Sequence, residues 1–184
     1  GISMHEEEFG SNPARKMTEP ASRALLTEIK QGLHGNYVRL SHYPHSETTV
    51  RLADEMGLMV WAEVPVYWTI SWTNPATYAN ANAQLTDLVT RDKNRASVIV
   101  WSVGNETPVS SERNTFMGNL AKTARSLDDT RLVAAALEIH RKGSDITVED
   151  PLADSLDLAS FNEYAGWYWA SNADLAWGPW CIET

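Results

Sequence analysis

Short apolar runs and amphipathic stretches alternate along this chain. Tyr37-Val38-Arg39-Leu40, Leu58 to Ala62, Val98 to Val103, Leu132 to Leu137 and Leu156 to Phe161 are strand-length, nearly continuous and rich in β-branched and aromatic residues. Such runs predict strands buried on both faces. A weaker run, Gly1 to Met4, precedes them. The intervening segments carry helical stripes: Leu25, Ile29 and Leu33; Tyr78, Ala81, Leu85 and Leu88; Phe116, Leu120, Ala124 and Leu127. Ser46 is a predicted N-cap for a helix reaching Met56, Gly57 fits the position just past its end, and Asn74-Pro75 supplies a cap followed by proline at the first helical position.

Strand, helix, strand, helix repeated, with a crossover helix between successive parallel strands, predicts an α/β fold: a (β/α)₈ barrel or a doubly wound sheet. The second requires a Gly-rich phosphate turn, and neither GxGxxG nor GxxxxGK[ST] occurs. Polar or acidic clusters instead follow nearly every strand: His5 to Glu8, Arg39-Leu40-Ser41-His42-Tyr43, Glu63, Asn105-Glu106, Glu138, and Asn162-Glu163-Tyr164. Functional groups at the C-terminal ends of many strands are the mark of a (β/α)₈ TIM barrel. A complete barrel takes about 250 residues, and this chain has 184. The expectation is an incomplete barrel, strands one to six in residues 1–184.

Composition narrows the function classes. The chain is 43% hydrophobic and 21% charged, the balance of a folded domain. Its formal charge of −9 repels phosphate backbones and anionic lipid, so neither nucleic acid nor membrane is an expected partner. No apolar stretch approaches the length of a membrane span, and the N-terminus lacks the basic-then-apolar pattern of a signal peptide. The single cysteine, Cys181, excludes a disulfide framework within the chain and says nothing about compartment. Eight tryptophans are unusually many; a large aromatic core and a ligand-stacking surface are both open readings, with Trp61 and Trp101 assigned to the core.

The segment ending Gly104-Asn105-Glu106-Thr107-Pro108 places a carboxylate at a strand end, with Gly104 allowing close backbone approach and Pro108 stopping the strand. The run Val-Ile-Val-Trp-Ser-Val-Gly-Asn-Glu at 98–106 stands with Arg-Leu-Ser-His-Tyr-Pro at 39–44, Leu-Ala-Asp-Glu-Met-Gly-Leu at 52–58 and Phe-Asn-Glu-Tyr-Ala-Gly-Trp-Tyr at 161–168. Together they resemble the catalytic barrel of glycoside hydrolase family 2, the β-glucuronidase, β-galactosidase and β-mannosidase group. The 162–168 segment is most similar to the β-glucuronidases.

The resemblance implies a retaining glycosidase with two carboxyl groups, one a general acid and then base, the other a nucleophile. On this match Glu106 is the acid/base and Asn105 binds the sugar 2-hydroxyl. Arg39, at the end of a buried strand, needs a carboxylate partner; the family pattern places it under the nucleophile. His42 matches a sugar contact, and His5 and Glu7 match polar residues lining the sugar site, whereas Glu6 and Glu8 read as solvated charges. Glu63 is open between a substrate contact and a buried partner for Arg39. Tyr164 and Trp167 are the expected sugar-binding aromatics. A His42-x-x-His45 metal pair lacks a third ligand, and the magnesium-binding Glu and His of β-galactosidases have no counterpart after Glu63, so no metal is expected. The implied partner is a β-glycoside or oligosaccharide substrate, with no cofactor and a homo-oligomeric full-length form. The sugar is open among glucuronide, galactoside and mannoside, and a sugar-binding fragment without catalysis is the other reading.

The family's nucleophile ends a seventh strand, in an apolar run closing on Glu-Tyr-Gly or Glu-Phe-Gly. Glu183 ends the run Trp180-Cys181-Ile182 but is followed by Thr184. The two expectations are therefore Glu183, or a nucleophile outside these residues.

Overall fold

The computed structural model of the chain describes residues 1–8, 13–14, 16–142, 145–162 and 164. Six parallel strands form one sheet: β1 (Ile2–Met4), β2 (Tyr37–Leu40), β3 (Met59–Glu63), β4 (Val98–Asn105), β5 (Leu132–Leu137) and, after a short hairpin of β6 (His140–Lys142) and β7 (Asp145–Thr147), β8 (Leu158–Phe161). Their spatial order is β1-β2-β3-β4-β5-β8, sequential throughout, with every pair parallel. This is an incomplete (β/α)₈ barrel of six strands, as the run pattern predicts.

Crossover helices α1 (Glu19–Thr27), α2 (Glu47–Met56), α3 (Pro75–Asp92) and α4 (Ser111–Leu127) cover one face of the sheet. The predicted caps are present. The Ser46 hydroxyl accepts from Thr49 N at 3.3 Å, the Asn74 side chain accepts from Ala76 N at 2.9 Å, and Gly57 ends α2 at φ +64°, the left-handed conformation glycine adopts without steric cost.

Two expectations fail. Leu33 belongs by spacing to the first helical stripe, yet it is 57% exposed while Leu26 and Ile29 are buried. A π-turn over Glu28–Gly32 follows α1, and each inserted residue rotates the helix face by about 100°. No α-helix joins β5 to β8 either. The hairpin and a 3₁₀ turn, Pro151–Ser155, take its place, with the Asp150 carboxylate capping Leu152 N at 2.9 Å.

Alternation along the strands sorts their side chains onto two faces. Val38, Leu40, Val60, Ala62, Trp101, Val103, Val133, Ala135 and Leu137 pack with helix residues such as Leu26, Leu52, Leu85, Phe116 and Leu120 in the main core. Trp61, Val100 and Ala134 form a separate cluster on the inner face, with Tyr37 and Ile99 against it. Two residues beyond Tyr37 and Trp61 on that face come Arg39 and Glu63. The inner face is thus apolar low in the barrel and charged at the C-terminal ends of the strands. Among the described residues no helix is long and apolar enough to cross a membrane.

Candidate active site

A cavity of about 730 Å³ opens at the C-terminal ends of the strands. Its lining includes Arg39, His42, Tyr67, Trp68, Asn105, Glu106, Asn162 and Tyr164, contributed by the ends of β2, β3, β4 and β8. Glu106 is the one acidic residue among the described lining residues.

Arg39 organises the floor. Its Nε donates to Glu63 Oε2 at 3.0 Å and its Nη2 to Glu63 Oε1 at 3.2 Å; Nη1 donates to Asn162 Oδ1 at 2.5 Å and Nη2 to Asn105 Oδ1 at 2.7 Å. Of the two roles open to Glu63, the geometry gives the buried partner. It is 1% exposed and outside the cavity lining. Its Oε2 also accepts from Trp61 Nε1 at 2.7 Å, and its Oε1 meets His42 Nδ1 at 2.5 Å, leaving little acceptor capacity for a substrate. Burial pushes the Glu63 carboxyl up, but the His42 hydrogen bond and the charge and hydrogen bonds of Arg39 outweigh it and hold it below the usual carboxylate range.

These bonds fix the orientation of the side-chain amides. Asn105 Oδ1 accepts from Arg39 and, at 2.9 Å, from Asn162 Nδ2. Because arginine can only donate, the Asn105 oxygen must face it, and its Nδ2 remains a donor at the cavity floor. The short contact to a carboxylate likewise assigns the proton of His42 to Nδ1. Its Nε2 is then the ring nitrogen available to a ligand.

Glu106 follows β4 with φ +48°, a left-handed conformation for a non-glycine residue. Its Oε1 accepts from Asn162 Nδ2 at 2.7 Å and from Tyr164 Oη at 2.5 Å. Among the described residues no side chain donates to Oε2. The turn is held from behind: Glu106 N donates to Ala136 O at 2.8 Å, and the next residue, Thr107, accepts at Oγ1 from Arg113 Nε at 2.8 Å. Arg113 is itself fully buried and paired with Asp150 at 2.7 Å. A β-carbon on Gly104 would lie 2.9 Å from Val66 O, tighter than real contacts allow; here glycine is required by close approach rather than by its dihedral angles.

Arg39, His42, Asn105, Glu106, Tyr164 and His5 are brought together in the cavity lining. Glu7 is half-buried outside that lining. Its neighbour Glu6 is not a solvated charge: it is 5% exposed, and its Oε2 accepts from Ser46 N at 2.7 Å, helping to cap α2. Trp167 and Glu183 lie outside the described residues. His45 is buried with Nε2 on Ser41 O at 3.0 Å, turned away from any pairing with His42. Among the described residues no group of three or more His, Cys, Asp or Glu side chains could hold a metal. Asn162 stands in the sequence only as part of the strand-end cluster 162–164, without a role of its own, and Tyr67 and Trp68 were missed as site residues. The signal for these two was a pair of adjacent aromatics just past Glu63.

The family model for glycosyl hydrolases family 2, TIM barrel domain, matches residues 15–178. The chain belongs to glycosyl hydrolase family 2. A β-glucuronidase of Streptococcus agalactiae is 32% identical over 185 residues, spanning 91% of this chain and 30% of that protein. A β-galactosidase of Thermoanaerobacterium thermosulfurigenes is 38% identical over 134 residues, 71% of this chain and 18% of its own length. Among solved structures, an FMN-binding β-glucuronidase from Facaelibacterium prausnitzii L2-6 superimposes with a TM-score of 0.81 at 27% identity, covering 100% of this chain and 27% of that one. The chain thus spans under a third of the length of these family 2 relatives.

Proposed function

We propose that this chain carries the sugar-binding and acid/base half of a retaining β-glycosidase acting on β-glucuronides. The observation that carries the reading is the asymmetric bonding of Glu106. Asn162 and Tyr164 both donate to Oε1, so in the acid form the proton sits on Oε2, the oxygen without a donor among the described residues. Glu106 gives that proton to the glycosidic oxygen as the bond from the anomeric carbon to the leaving group breaks. A second carboxylate attacks the anomeric carbon, forming a glycosyl-enzyme and releasing the aglycone as an alcohol. Glu106 then takes a proton from the water that displaces the enzyme carboxylate and frees the sugar. Asn105 Nδ2 hydrogen-bonds the 2-hydroxyl oxygen, and His42 Nε2 meets a further hydroxyl. The nucleophile is either Glu183 or a carboxylate outside these 184 residues.

Glucuronide is favoured over galactoside by the Asn162 to Tyr168 motif and by the names of the relatives matched over most of the chain. The more identical but shorter β-galactosidase match keeps galactoside as the second reading. The test is leaving-group dependence. In the protein that carries the nucleophile, Glu106→Gln should slow hydrolysis of phenyl β-D-glucuronide by about 10²–10⁴-fold and that of the 2,4-dinitrophenyl glucuronide far less, because a dinitrophenolate departs without protonation. Equal losses on both substrates would overturn the acid/base assignment.

A further inference from the structure

The cavity has two chemistries, and its floor is polar. Its outer wall is aromatic. From His42 a row of rings runs outward, to Tyr67 with centroids 6.1 Å apart and then to Trp68 at 5.7 Å with the planes perpendicular. Trp68 is 64% exposed, while Trp61 and Trp101 are buried, with their indole N–H groups bonded to Glu63 and Asp128. The Trp68 indole N–H has no partner among the described residues.

This exposure is built in. Past the end of β3 the chain stays tied to β4: Asn105 N donates to Val66 O at 2.8 Å, and Trp68 N donates to Asn105 O at 3.2 Å. Trp68 consequently takes φ +55°, a conformation that costs energy for any residue with a β-carbon. The backbone is strained, a large apolar ring is left at the mouth of a cavity, and its main chain is bonded to the residue preceding Glu106. Strain that holds an apolar ring in water is explained by a ligand that covers it.

We infer that Trp68 is the specificity-determining residue for the leaving group, stacking on an aromatic aglycone. The inference rests on the glycosidase reading. With the sugar on Arg39-anchored Asn105 and on His42, and the glycosidic oxygen at Glu106, the aglycone projects toward the open mouth, where Tyr67 and Trp68 stand. Among the described residues that rim presents the ring faces of Tyr67 and Trp68, and a flat aromatic ring suits them better than a second sugar.

The test is calorimetric titration of the chain with methyl and phenyl β-D-glucuronide, and with the matching galactosides. Wild type should bind the phenyl glycoside about five- to tenfold more tightly than the methyl one. Trp68→Ala should lower phenyl-glycoside affinity more than methyl-glycoside affinity and bring the two near equal, and Trp68→Phe should keep part of the preference. A phenyl preference that survives in Trp68→Ala, or a methyl affinity that falls as far as the phenyl affinity, overturns the aglycone role while leaving the sugar site standing. Tighter binding of a β-linked disaccharide than of the phenyl glycoside would also overturn it, assigning the rim to a second sugar. Failure of wild type to bind any of these glycosides overturns the glycosidase reading itself.

Discussion

Arg39 Nη2 holds the Asn105 side-chain oxygen at 2.7 Å. That bond ties the second strand to the fourth across the inner face and turns the Asn105 amide so that its NH₂ group faces the cavity. The same guanidinium neutralises Glu63, which is 1% exposed. Replacing Arg39 by Ala leaves a buried carboxylate without its cation, and a loss of about 3–5 kcal/mol is expected, read as a lower urea midpoint. Arg39→Lys should recover only part of it, since an ammonium cannot reproduce the fork that reaches Glu63, Asn105 and Asn162 together.

Asn105→Ala should weaken binding of a β-glucuronide by about tenfold to a hundredfold. On the 2-deoxy sugar the same substitution should cost little, because the hydroxyl proposed as its partner is gone. Calorimetric titration of both ligands against both proteins gives the coupling. An equal penalty on the two sugars would count against the 2-hydroxyl contact.

Gly104→Ala drives a methyl group into Val66 O, 2.9 Å from the ideal β-carbon, and into the Met117 side chain. Overpacking of this kind costs about 1–3 kcal/mol. The strand end carrying Asn105 and Glu106 must also shift, so glycoside affinity should fall together with thermal stability. Gly104→Ala with unchanged affinity would show that the turn tolerates displacement.

Asp128 accepts from Trp101 Nε1 at 2.9 Å, Thr130 Oγ1 at 2.6 Å and Arg131 Nη1 at 2.7 Å. Burial raises its carboxyl, and these hydrogen bonds, with that of Thr130 N, more than reverse the effect, holding it far below the ordinary range. A lowered folded-state value means the stabilisation is full above the unfolded aspartate value of about 3.9 and drains away as pH falls below it. Stability followed by denaturant titration should therefore fall below about pH 4, and Asp128→Asn should be less stable at neutral pH with a shallower acid decline.

The strand runs and most of the helices were legible because their signals are local. Both faces of β4 are buried, so Val98 to Val103 is apolar but for Ser102, and Ser46, Gly57 and Asn74 act on neighbours within a few residues. Leu33 was misread because a π-turn changes the phase of a stripe without leaving a mark in it. The hairpin before β8 was missed because its strands are only three residues long. Glu6 and Glu7 are indistinguishable as letters; the approach of the α2 N-terminus makes the first of them a cap.

The sequence by itself determined the strand order of an incomplete barrel, the family, and Glu106, Asn105, Arg39 and His42 as the residues to watch, because strand-end clusters and ordered motifs are written in consecutive positions. Only the tertiary structure decided what those residues do to one another. It made Glu63 the saturated partner of Arg39 and His42, put two donors on one oxygen of Glu106, and set Trp68 at the cavity mouth. Those facts depend on hydrogen bonds between strands up to 123 positions apart, and side-chain contacts over such separations are fixed by sheet register, which no local run of residues encodes.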